Sequence, residues 1–133
     1  SELTTEITPM EAGLDRFVDF SKCFLGREAT LSRKLLGVNT KLVYLSVETA
    51  DNDCLGNETV LNPEAPSGKN IIGVTTSGAY GHTVSQSMAF AYVQPKFAEP
   101  GTKLEIRVLG HNCSANVLKE AAYDPQNLRL RDV

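Results

Sequence analysis

The chain has 133 residues, 41% of them hydrophobic and 22% charged, with no tryptophan and a formal net charge of −3. That length suits one domain with a buried core, so residues 1–133 are read as a single unit. The scattered, mildly acidic charge excludes the basic footprint that grips nucleic acid, and no apolar run approaches the roughly 20 residues that span a bilayer.

The opening Ser1-Glu2-Leu3 carries no initiator Met, and no charged stretch leads into an apolar one. The chain is therefore expected to be a segment excised from a longer polypeptide, with the remainder as its first partner. Thr8-Pro9-Met10-Glu11 has the signature of a helix start: Thr8 can cap, Pro9 takes the favoured first position and Glu11 completes a capping box. Gly13 keeps that helix short. Residues 16–20 (RFVDF) alternate weakly, as in a brief strand or an extended link. Residues 26–36 (GREATLSRKLL) predict a helix stopped by Gly37, with Ala29, Leu31, Leu35 and Leu36 as a core-facing stripe.

Beyond Gly37 the pattern is β. Residues 41–48 alternate with Val43, Leu45 and Val47 on one face, and residues 102–109 alternate with Leu104, Ile106 and Val108 inward. Gly110-His111-Asn112 predicts a turn into residues 113–118, making a hairpin. Residues 88–93 (MAFAYV) are apolar throughout, as expected of a strand covered on both faces. Residues 51–56 and 62–70 are polar connections. The expected fold is mainly β: a small antiparallel β-barrel or sandwich with one or two short helices near the N-terminus.

The most informative stretch is 71–93, IIGVTTSGAYGHTVSQSMAFAYV. Gly78 and Gly81 bracket Ala79-Tyr80, predicting an unusual backbone there. Tyr80 and His82 are then expected on a loop between two buried strands, a common way to build a binding surface.

Catalytic chemistry finds little support. Asp51-Asn52-Asp53 with Gly56 and Glu58 resembles a calcium loop only superficially, because the glycine falls one place short and no acidic twelfth residue closes it. The glycines fit no phosphate-cradling motif. His82 and His111 are far apart and lack a nucleophile arranged with them, and Glu11 reads as a cap. Cys23, Cys54 and Cys113 share no metal-ligand spacing and read as small buried hydrophobes. Their odd number and the lack of a signal favour a reducing compartment, bacterial cytoplasm or mitochondrial matrix. No catalytic residue and no metal ligand set is assigned.

Longer strings add to this reading. Residues 8–31 (TPMEAGLDRFVDFSKCFLGREATL) resemble the opening of the C-terminal domain of glycine-cleavage T-protein-like aminomethyltransferases, and residues 73–93 are similar to a second motif of that domain. Residues 101–109 followed by 115–119 fit its closing hairpin. The doubled Thr75-Thr76 before Ser77-Gly78, and the AFAYV run, look most like the version in dimethylglycine and sarcosine dehydrogenases. In such enzymes an N-terminal FAD domain oxidises an N-methyl amine and the folate region passes the one-carbon unit to tetrahydrofolate.

The resemblance implies a barrel-like subdomain that is non-catalytic by itself, shares a tetrahydrofolate site with the upstream folate-binding domain, and belongs to a polypeptide whose FAD lies in another domain. The family's catalytic aspartate would lie upstream. Where T-proteins often carry a Trp against folate, this chain has Arg16, whose guanidinium can stack on a flat ring. Arg129 and Arg131 match a C-terminal family arginine near folate and could pair with a glutamate-tail carboxylate. Tyr80 and His82 become candidates for lining a cavity wall or an interface. The alternatives are a structural or regulatory docking module of the same fold, or a fragment of a glycine-cleavage aminomethyltransferase.

Overall fold

The computed structural model describes residues 2–66 and 68–131. Six strands, β1 (Lys41–Val47), β2 (Thr59–Leu61), β3 (Ile71–Gly81), β4 (Gln86–Val93), β5 (Lys103–Val108) and β6 (His111–Val117), close into an antiparallel barrel in the order β1-β4-β3-β2-β5-β6. Helix α1 (Arg27–Leu36) precedes the barrel and the one-turn α2 (Leu128–Arg131) follows it. The mainly β barrel is as the pattern predicts. Inward Val43, Leu45 and Val47 meet Leu104, Ile106, Val108, Val60, Ala91 and Val93 in one core, because a period-2 strand sends alternate side chains to one face. β4 runs opposite all of β1 and most of β3. The β5–β6 hairpin is joined to this sheet by two short seams. Leu45, Ser46 and Val47 lie opposite Val117, Asn116 and Ala115, and Val60 and Leu61 lie opposite Ile106 and Glu105.

Several expectations are corrected. The capping box at Thr8 forms, with Thr8 N and Oγ1 donating to Glu11 Oε2 at 2.8 and 2.9 Å. No helix grows from it, however, and Met10, Glu11 and Ala12 instead lie buried in a run of turns, where Leu42 N donates to Glu11 O at 2.8 Å. Residues 15–17 form a 3-10 turn rather than a strand. α1 has the predicted extent, but its stripe faces no core and none of its residues is buried. β2, only three residues long, escaped the period-2 reading because alternation needs more positions to register.

Nor does β3 break at its glycines. It runs unbroken to Gly81, and the turn to β4 spans residues 82–85. Gly73, Gly78 and Gly81 have no left-handed φ; they are glycines because neighbouring atoms occupy the space of a Cβ. At Gly78 a Cβ would lie 2.5 Å from Cys54 O and 2.7 Å from Cys54 Cβ. The hairpin turn falls one residue earlier than predicted, at Leu109-Gly110 with φ +46° and +87°, so His111 heads β6. A two-residue loop needs this pair of positive φ values to match strand twist. β4 is buried along its inner face at Ala89, Ala91 and Val93, but its outer face is covered only in part: Tyr92 is buried, while Phe90 stays 38% exposed. Cys54 is buried as expected, whereas Cys23 is exposed and Cys113 half-buried.

The doubled threonine has a structural reason. Strand alternation sends Thr75 inward and Thr76 outward, and the β3–β4 register shift between Thr75 and Ser77 leaves the neighbouring Thr76 and Ser77 on the same outer side. Buried Thr75 donates through Oγ1 to Glu58 Oε2, and Leu55 N and Gly56 N donate to the same carboxylate at 2.9 and 3.0 Å. Outside, Thr76 and Ser77 donate to Glu2 Oε1 at 2.9 and 2.5 Å, while Tyr92 OH donates to Glu2 O at 2.8 Å. The arriving chain is thereby pinned across β3 and β4.

Candidate functional site

An open cleft of about 610 Å³ lies at the head of β1, walled by Ala12, Gly13, Arg16, residues 41–44 of β1, Phe90 of β4 and the chain leaving β6. Its floor is aromatic. Tyr44 and Phe90 are opposite one another in the β1–β4 register, and their rings stack at 4.8 Å with 25° between planes. Tyr44 OH donates to Met88 Sδ at 2.6 Å, fixing the ring, and burial raises its phenol pKa. Arg16, on the 3-10 turn, sits exposed at the rim with its guanidinium 4.7 Å from the Phe17 ring. Lys41 and Lys119 add positive charge to the walls against a single acid, Glu120.

A flat π face beneath a cationic rim suits a planar ring bearing carboxylates, since guanidinium and ammonium groups pair with carboxylate and stack on aromatic faces. Binding and exclusion of water are what such a surface does. Among the described residues no group of three His, Cys, Asp or Glu side chains converges to hold a metal ion, and no helix is long and apolar enough to cross a membrane.

The residues singled out from the sequence are not gathered in one place. Arg16 lines the cleft. Tyr80 lies in β3 opposite Ser87, and His82 starts the turn; their rings meet edge to face at 5.1 Å. Ser87 is also the partner of Val47, the last residue of β1, while Lys41 begins it. At roughly 3.3 Å per residue, that puts Tyr80 about 10 Å along the strands from the Tyr44–Phe90 edge of the cleft and about 20 Å from its Lys41 end. There Tyr80 borders a separate hollow with Asp51, Asp53 and Ser85. Arg129 and Arg131 ride on α2, whose first amides donate to the Asp124 carboxylate (Leu128 N at 2.8 Å, Arg129 N at 3.0 Å). The Arg129 guanidinium lies 5.4 Å from the Tyr123 ring, and neither arginine lines the cleft.

Lys41, Tyr44, Phe90 and Lys119 were missed by sequence reasoning. The available signal was the outward register of β1 and β4: a solvent-facing aromatic on each of two paired strands stands out once the inward positions are assigned.

Residues 40–124 match the glycine cleavage T-protein C-terminal barrel domain. The chain is 38% identical over 135 residues to a mitochondrial dimethylglycine dehydrogenase of Rattus norvegicus, covering 98% of this chain and 15% of that protein. It is 35% identical over 128 residues to an aminomethyltransferase of Rippkaea orientalis, covering 95% of this chain and 33% of the relative. The chain thus spans between about a seventh and a third of these relatives. In fold it is similar to the crystal structure of glycine cleavage system aminomethyltransferase T from Bartonella henselae, with a TM-score of 0.82 at 24% identity over 93% of this chain and 34% of that one.

Proposed function

The chain belongs to the glycine cleavage T-protein C-terminal barrel domain family, and from that premise we propose that it is the C-terminal folate-region domain of an FAD-dependent dimethylglycine or sarcosine dehydrogenase. The parent would demethylate its amine oxidatively and deliver the carbon to tetrahydrofolate, whose nitrogens take up the one-carbon unit. The observation that carries this reading is the meeting of Arg16, Lys41 and Lys119 with the stacked Tyr44–Phe90 pair in one cleft. Similarity to dimethylglycine dehydrogenase over nearly the whole chain supports the same parent.

In this role the barrel is a wall and performs no proton transfer. An outer face of the stacked Tyr44–Phe90 pair lies against the ring system and keeps water from it. Arg16 stacks on the ring or holds a carboxylate, and Arg129 or Arg131 takes the carboxylate of the glutamate tail. Tyr80 and His82, at the far end of the barrel, line a wall toward a neighbouring domain. FAD would be held wholly by another part of the polypeptide.

Calorimetry tests the proposal. The 133-residue chain alone should bind tetrahydrofolate with millimolar or weaker affinity, because it supplies a minority of the contacts. In the full polypeptide, Arg16→Ala should weaken binding about tenfold, the loss of one charge-assisted contact. Tight binding by the chain alone, or no effect of Arg16→Ala, would refute the assignment. A docking module of the same fold is the second reading, favoured by the bare leucines of α1. A dinucleotide-binding G-x-G-x-x-G motif upstream would decide for the enzyme.

A further inference from the structure

Between the buried Met10–Ala12 turns and the barrel, the chain holds a helix with large apolar side chains left bare. Leu25 is fully exposed, and Leu35 and Leu36 of α1 are 78% and 86% exposed. Local contacts nevertheless hold the segment in shape. Arg27 Nε donates to Phe20 O at 3.0 Å, the Phe20 and Phe24 rings lie 6.3 Å apart, and Lys34 Nζ stands 5.1 Å from the Phe20 ring. Arg33 tethers it to buried Glu11 at 4.0 Å. A ten-residue helix is marginal in water by itself and draws its stability from packing an apolar face. Such a face left bare marks an interaction surface.

Two observations say what covers it. The barrel family match begins at residue 40, so the barrel is complete without this segment. The segment is nonetheless shared with the dimethylglycine dehydrogenase relative, which matches 98% of the chain and carries most of its own length elsewhere. We propose that Leu25, Leu35 and Leu36 dock into an apolar groove on another domain of the same polypeptide, making α1 a rigid adaptor that sets the barrel against its neighbour. This rests on the proposed function only in requiring that longer polypeptide.

Hydrogen exchange tests it. In the full-length polypeptide the α1 amides should exchange on the order of 100-fold more slowly than in the 133-residue chain. Leu35→Glu with Leu36→Glu should restore fast exchange in α1 while the barrel strands stay protected. The same double variant in the 133-residue chain should melt with its parent, both side chains already facing water. Fast α1 exchange in both forms overturns the docking even if tetrahydrofolate still binds; a protected α1 in a polypeptide that binds no folate upholds the docking and overturns the functional proposal. Protection in the 133-residue chain together with a dimer in sedimentation would assign the face to a second copy and overturn the proposal.

Discussion

Replacing Gly78 by alanine should destabilise the barrel, although alanine costs less backbone entropy on folding. The new Cβ would meet Cys54 O at 2.5 Å, Cys54 Cβ at 2.7 Å and Met88 O at 3.0 Å. Two of these are backbone atoms that cannot rotate away. Ordinary contact begins near 3.4 Å, so the loop before β2 would have to retreat by about 0.9 Å. It is not free to do so, because Glu58 ties Leu55 N, Gly56 N and Thr75 together beside it. Overpacking of this kind costs about 1–3 kcal/mol, offset by about 0.4–1 kcal/mol from the stiffer unfolded chain. A net loss of about 1–2 kcal/mol is expected, or about 4–8 °C in the melting midpoint. Urea unfolding at unchanged m-value would measure it. A midpoint equal to or above the parent's would show that the loop yields freely and refute the close-approach account of this glycine.

Other consequences can be checked as directly. Glu58→Ala should cost about 2–3 kcal/mol, since it strands Leu55 N, Gly56 N and the buried Thr75 hydroxyl; a loss under about 0.5 kcal/mol by denaturant titration would contradict the network. Burial alone would raise the Glu58 pKa, but hydrogen bonds from Thr75, Leu55 and Gly56 outweigh it and hold the carboxyl low. Its contribution is therefore complete at neutral pH and fades as acid protonates it. The Glu2 carboxyl, held down chiefly by Ser77 and also by Thr76, falls from 4.5 to about 2. A depressed carboxyl stabilises above its unfolded pKa, so this contribution should disappear between pH 4.5 and about 2. At this partly exposed site it amounts to about 1 kcal/mol at most. Glu2→Gln should flatten the stability profile in that window, as read by melting at stepped pH. Burial, with the nearby Glu58 charge, pushes the Cys54 thiol up to about 11, while Cys23 is exposed. Alkylation at pH 8 followed by mass spectrometry should label Cys23 first and leave Cys54 unmodified until the chain unfolds.

Much of the barrel was legible because β1 and β5 obey strict alternation and because Gly110 announces a hairpin. The limits of α1 were legible from Gly26 and Gly37, but its surroundings were not. A stripe of Ala29, Leu31, Leu35 and Leu36 states that a face prefers to be covered, without stating by what. Gly78 and Gly81 misled for a related reason. Glycine marks either a special φ or a missing Cβ, and at Gly78 only the position of Cys54, 24 residues away, reveals which. The cleft was half legible. Arg16 could be singled out through its local motif, whereas Lys41, Tyr44, Phe90 and Lys119 come together only through β-pairing at long range.

The two short seams of the barrel bear on how it comes apart. Since β5 and β6 pair along their whole length with each other but only briefly with β1 and β2, the hairpin is a stave that can swing out as one piece. The sheet β1-β4-β3, with its long registers, would keep its shape meanwhile. Opening would then be sub-global, with the hairpin leaving at lower free energy than the rest. The cleft wall formed by residues 118–121, which follow β6 directly, would leave with it. Any ligand bridging Arg16 and Lys119 would act as a hoop around the staves and should slow that opening.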